Sequence, residues 1–322
     1  MENCILIGNG LNQCLKGAVP WGNLLKHVAD ELNVSYNPDI PMPMEFERII
    51  NEYLGGRSVE DIPKDIYTLI KSKIAALIQH ASLRDDSIHM RLKDISVDSV
   101  LTTNYDTLLE AVYEPGYVYG GKKASTYLLD PTWEHEGVKF FHVHGIADNP
   151  KSICLGYEHY MGIVKQLRDT LNKNSDNKSD EKAIKQILFG ERKPLGSWGE
   201  KFYTSNMAIV GLGLTESESD LWWLITHRAS LYYSNYADIR RVLRNTIVFY
   251  DVIDERKTGD PANEKKRQAA NIAKRNRHLL LKDSHVTVKA LVLGKDCSSY
   301  EEAYGLIFDE LSKNGISNFN SL

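Results

Sequence analysis

Val100-Leu101-Thr102-Thr103-Asn104-Tyr105-Asp106 places hydroxyls, a side-chain amide and a carboxylate directly behind an apolar run. Such groups suit the orientation of a polar substrate or of an attacking water. A second run, Lys139 to Val143, ends in His144-Gly145. A histidine, with a reference pKa near 6.5, can act as a general base at neutral pH. A third element, Ile5-Leu6-Ile7-Gly8-Asn9-Gly10-Leu11-Asn12, runs from an apolar stretch into a Gly-x-Gly turn, where absent side chains let backbone N–H groups approach a phosphate. Plainer readings stand beside each of these. Asn104 and Asp106 can cap a helix beginning near Thr107, His144 can be a satisfied core histidine, and the glycine turn can be tight without holding a ligand. The third glycine of the dinucleotide fingerprint is replaced by Gln13. His142 and His144 share a strand face, but no nearby carboxylate or cysteine completes a ligand set, so no metal is expected.

These groups need elements to hold them. Apolar, β-rich runs recur at Cys4 to Ile7, Val97 to Thr102, Val138 to Val143, Met207 to Val210, Thr246 to Asp251 and Val286 to Leu293. Buried parallel strands read this way. Helical periodicity falls between them, at Trp21 to Leu32, Glu45 to Leu54, Asp65 to Ala81, Leu108 to Tyr113 and Asp220 to Tyr233. The alternation predicts an α/β fold, a doubly wound parallel sheet covered on both faces, and ligand chemistry collects at the carboxyl ends of its strands. Two strandless stretches, about 35–95 and 156–204, predict helical insertions, the second broken by a polar loop over 172–180. No internal repeat is present.

Composition bounds the function. With 42% hydrophobic residues the chain of 322 residues can bury a substantial core, and 39 basic against 43 acidic residues argue against a surface built for nucleic acid. Residues 255 to 282 depart from that balance, with nine basic against three acidic residues, a net of +6. No aromatic residue is interleaved for base stacking, so the segment reads as the solvated face of a helix, with a nucleic-acid or phosphate-sensing face as the alternative. Adjacent Trp222 and Trp223 point in different directions on a helix, one at least into the core. The longest apolar runs are strand-sized, which excludes a spanning helix. The N-terminus enters a strand pattern at once and reads as an unprocessed start. Cys4, Cys14, Cys154 and Cys297 are too scattered for a disulfide framework or a zinc knuckle, which fits a reducing, cytoplasmic setting.

Taken in order, Gly8-x-Gly10, Thr102-x-Asn104-x-Asp106 and His144-Gly145 resemble the sirtuin family. The wording Thr-Thr-Asn-Tyr-Asp is similar to that of the sirtuin-like NAD hydrolases of bacterial anti-phage defence. Val210-Gly211-Leu212-Gly213-Leu214-Thr215 resembles the loop that holds the adenosine side of NAD, and Phe249-Tyr250-Asp251 ends in a carboxylate suited to ribose hydroxyls. The resemblance implies a Rossmann-like fold as one NAD-binding unit over 1–322, and NAD as substrate. It implies that Asn104 orients the ribose or the attacking water, that Asp106 holds the nicotinamide carboxamide, and that His144 is the base. Gly8, Gly10 and Thr215 would position the phosphates, with Asn12, Thr103, Gly211, Gly213 and Asp251 completing the NAD site.

The paired cysteines of the deacetylases' zinc module are missing, so no zinc is expected and deacetylation is disfavoured. Hydrolysis to nicotinamide and ADP-ribose, serving an effector that depletes cellular NAD, is the leading expectation. A non-catalytic NAD or ADP-ribose sensor or assembly subunit and an ADP-ribosyl transferase are the competitors. As partners the resemblance implies a second copy of the chain, with room for an ATPase of the HerA type or another defence component.

Overall fold

The computed structural model describes the chain except for residues 19, 79–82, 85, 86, 122–124, 173–181, 235, 236, 258 and 317–322. Its centre is a seven-stranded sheet of β1 (Glu2–Ile7), β2 (Ser99–Thr102), β3 (Trp133–His135), β4 (Val138–His142), β5 (Ser205–Val210), β6 (Ile247–Asp254) and β7 (Thr287–Leu293), in the order β3-β4-β2-β1-β5-β6-β7. All neighbours are parallel except β3 and β4, which form an antiparallel hairpin at one edge. Without that hairpin strand the order is the doubly wound 3-2-1-4-5-6. The chain is an α/β protein of Rossmann-like architecture. The winding reverses between β1 and β5, and there the strand ends open a crevice.

The helices are α1 (Trp21–Leu32), α2 (Met42–Gly55), α3 (Ile66–Ile78), α4 (Leu108–Tyr113), α5 (Tyr157–Asn172), α6 (Lys182–Leu188), α7 (Trp198–Thr204), α8 (Ser219–Tyr233), α9 (Ala237–Val242), α10 (Pro261–Asp283) and α11 (Tyr300–Asn314). Alternate residues of β1 serve opposite cores: Cys4 and Leu6 join Phe141, Trp198 and Leu224 on one face, whereas Ile5 and Ile7 join Val100, Leu109 and Phe308 on the other. A third core lies among α1, α2 and α3, where Leu25, Phe46, Ile49, Ile70 and Ile74 meet Tyr105, Ile153 and Leu155. The helical layer therefore begins at Trp21, earlier than the expected 35, because α1 packs on α2 and α3. Most of the polar stretch 172–180 lies outside the described residues.

This third core matters because it abuts the chemistry-bearing loops. Tyr105 Oη donates to the Cys154 carbonyl at 2.7 Å, and the Ala147 N–H donates to the Tyr105 carbonyl at 2.7 Å. The Cys154 N–H in turn donates to the His144 carbonyl at 2.8 Å. The loop after β2 and the loop after β4 are thus stitched to each other and backed by helices.

Candidate active site

At the switch point lies a cavity of about 870 Å³. Its walls come from the glycine turn after β1, Thr103, His144, the loop 211–218 after β5, the end of β6, and inward side chains of α10 and α11. The connection between α1 and α2, with Tyr36 and Pro38 to Pro41, and Met42 at the start of α2 line the cavity as well. Of the residues singled out from sequence, Gly10, Thr103, His144, Gly211, Gly213, Thr215 and Asp251 line this space, whereas Gly8, Asn12, Asn104 and Asp106 stand behind the wall.

Asn104 follows directly on Thr103 and is 2% exposed. Among the described residues neither its Oδ1 nor its Nδ2 has a hydrogen-bond partner. A buried polar atom left unpaired costs about 1–3 kcal/mol, so an amide orphaned at both ends beside a cavity marks a place where a ligand or water belongs. Its backbone is fixed all the same. The Asn104 N–H donates to Thr102 Oγ1 at 3.0 Å, and its carbonyl accepts from His142 Nδ1 at 2.9 Å.

Sequence reasoning missed the carboxylates that answer both histidines. His142 Nε2 donates to Glu110 Oε1 at 2.8 Å, and His144 Nε2 donates to Asp220 Oδ2 at 3.0 Å. Glu110 arrives on α4 and Asp220 on the first turn of α8, and both pairs are buried. Burial pulls both imidazoles down, but the facing carboxylate outweighs it and holds each histidine above its usual pKa. Both ring nitrogens of His142 face acceptors, so the imidazolium form satisfies its site. His144 keeps one nitrogen beyond the Asp220 bond and stands edge-on to Tyr160, ring centroids 5.4 Å apart. A histidine oriented by a buried carboxylate is a competent general base.

Glu218 was missed as well. It lines the cavity, and its Oε2 accepts the Thr215 N–H at 2.6 Å. Burial pushes its pKa up to about 7, against the pull of His144 and the Thr215 N–H. Thr215-x-x-Glu218 has the spacing of a capping box, and that is the signal which could have found it.

The other expected residues have different neighbours. Asn12 Nδ2 donates to Asp106 Oδ2 at 2.7 Å, His89 Nε2 donates to Asn12 Oδ1 at 2.8 Å, and Asp106 Oδ1 accepts the Leu108 N–H at 3.1 Å. This chain ties the turn after β1 to the start of α4, and burial raises the Asp106 carboxyl. The glycine turn leads into a single 3-10 turn, Asn12–Cys14, rather than a long helix. The Gly8 N–H donates to Val210 O at 2.9 Å and the Gly10 N–H to Gly211 O at 2.7 Å. A Cβ on Gly8 would fall 2.6 Å from Gly211 O and from Leu212 Cα, and one on Gly10 2.7 Å from Gly211 O. The glycines thus let two strand-end turns interlock, and these two N–H groups are already engaged. Gly145 is required for a related reason: its φ is +95°, and the Ser152–Ile153 backbone passes where a side chain would stand.

Asp251 lies within β6, and its oxygens are held by Val252 N–H, His278, Arg277 and Lys274. Lys274 and Arg277 turn inward from an otherwise largely exposed α10, so two members of the basic segment belong to the cavity. Trp222 and Trp223 are half-buried and stand off it; Trp222 Nε1 donates to the Thr215 carbonyl and Trp223 stacks on His227.

The four cysteines do not fit a zinc module. Cys4 and Cys154 are buried on one face of the sheet and Cys297 on the other, with Cys14 in the 3-10 turn. Among the described residues no cluster of three or more His, Cys, Asp or Glu side chains is placed to hold a metal ion, and no helix is long and apolar enough to cross a membrane.

A Rossmann-like sheet with an orphaned amide and a carboxylate-backed histidine at its switch point has the architecture on which nucleotide sites are commonly built. Residues 98–195 match the model of the SIR2-like domain, a class that acts on NAD. The match contains Thr102 to Asp106 and His144-Gly145; the first glycine turn, the 211–218 loop and Asp251 lie outside it. No curated protein matches the chain.

Proposed function

We propose that the protein is an NAD glycohydrolase, which breaks the bond between nicotinamide and ribose C1′ and gives the sugar to water. The observation that carries this reading is the buried Asn104 amide, unpaired at both ends, one residue from a cavity wall that also presents the Asp220-backed His144. Nicotinamide leaves with the bonding electron pair and is neutral once free, so the departure needs little acid. The chemistry instead demands stabilisation of an oxocarbenium-like centre and a placed water. Asn104 orients the ribose or that water. His144 takes the water's proton as its oxygen bonds to C1′, and Asp220 balances the imidazolium that results. Nicotinamide and ADP-ribose are the products.

Resemblance to defence-associated sirtuin-like hydrolases extends the reading to an effector whose NAD consumption is held in check by assembly or a partner. One observation favours binding without turnover: Asn104 stands behind the wall rather than on it. Release of nicotinamide separates the two. The purified chain incubated with NAD should yield nicotinamide and ADP-ribose, and Asn104→Ala or His144→Ala should lower the rate by about 100-fold or more. Equal rates in wild type and both variants refute the site; NAD binding without release supports the sensor.

A further inference from the structure

We propose that the α10 side of this cavity recognises a phosphate carried on the adenosine ribose, so that the preferred ligand is the 2′-phosphorylated dinucleotide NADP rather than NAD. The inference rests on the NAD-cleaving reading of the same cavity and refines its substrate. In doubly wound folds a strand-end carboxylate that selects NAD accepts ribose hydroxyls, whereas a nearby arginine accommodates a 2′-phosphate.

Here the carboxylate is already occupied. Asp251 Oδ1 accepts the Val252 N–H at 2.8 Å and lies 3.4 Å from Lys274 Nζ; Oδ2 accepts from His278 Nε2 at 2.7 Å and Arg277 Nη2 at 3.2 Å. Burial alone would raise this carboxyl, but the His278 hydrogen bond and the two cations outweigh it and hold Asp251 ionised. Two cations against one carboxylate leave a positive surplus around Asp251, and Glu218, which also lines the cavity, feels the charge of Arg277. Arg277 Nε is buried and has no partner among the described residues, and both Lys274 and Arg277 line the cavity. A buried guanidinium N–H without an acceptor calls for an anion, and a phosphate matches it in charge. Asp251 on this account holds the cations in place.

Calorimetric titration of the full-length protein with NADP and with NAD tests the proposal without requiring turnover. NADP should bind about tenfold more tightly or better, the size of one charge-assisted hydrogen bond. Arg277→Gln and Lys274→Gln should each pull the NADP:NAD affinity ratio to within about twofold of unity, and Arg277→Lys should retain part of the preference. Melting curves for each variant establish that it is folded. Equal affinities in the wild type, tighter binding of NAD, or a preference surviving both glutamine substitutions would overturn the inference. An NADP preference without nicotinamide release favours the sensor over the hydrolase and leaves this inference intact; failure of both nucleotides to bind overturns it.

Discussion

Asp220 fixes the ring of His144 and keeps its pKa raised. If His144 is the base, activity should climb with pH through an apparent pKa above the ordinary histidine value. Asp220→Asn removes the partner that raises it and leaves burial, which lowers it, so the rising limb should move to lower pH. The same change frees the ring and should cut kcat by about 10²–10⁴-fold, as read from nicotinamide release across pH. Glu218 gives a second pH signature. Its folded pKa of about 7 lies above the unfolded value, so the folded chain holds a proton that the unfolded chain has lost between those values. Its contribution is present at lower pH and is lost as pH rises through about 7. Glu218→Gln keeps an acceptor for the Thr215 N–H without the charge, so its melting temperature should gain on wild type as pH rises from 5 to about 8. Asn104, Asp106 and His144 were visible in sequence as reactive types at strand ends. Their partners were not, because Glu110 and Asp220 are brought to the histidines by chain folding over 32 and 76 residues.

Among the elements, β1, β2 and β4 to β7 were legible as apolar runs, and α1 and α4 to within the residue. β3 escaped because three residues, Trp133-Glu134-His135, are too few to show alternation. Its turn is distinctive in the structure: Glu136 and Gly137 both have positive φ, as a two-residue hairpin between antiparallel strands demands. α10 was visible as a basic helix. Which of its cations face inward follows from helical phase, since Lys274, Arg277, His278 and Leu281 share one face, and only Leu281 advertised that face as apolar. The glycine turn reads in sequence as a place for a phosphate or as a tight turn without a ligand, and in the structure the backbone of Gly211 and Leu212 packs against its two glycines. Gly8→Ala should therefore push the 211–215 turn outward, cost about 1–3 kcal/mol in a melting experiment and weaken nucleotide binding.

At the scale of the whole molecule, three cores meet around one cavity. One lies on each face of the sheet, and the third, among α1, α2 and α3, backs the loops that carry Asn104 and His144. The interlocked turns after β1 and β5 give this arrangement a mechanical asymmetry. The two halves of the sheet are latched by Gly8 N–H to Val210 O and Gly10 N–H to Gly211 O, so the floor of the cavity can open only when the sheet itself parts. The lining stretch from Tyr36 to Met42 holds two prolines without N–H groups, Pro38 and Pro41, and joins two helices outside the sheet. Amide hydrogen exchange should show the difference: the Gly8 and Gly10 amides exchanging only with global unfolding, those of Asp39 and Ile40 far sooner. If the cavity holds a nucleotide as proposed, the expected route of exchange is by way of the helical side, and residence time becomes a property of Tyr36 to Met42, residues given no part in the proposed chemistry.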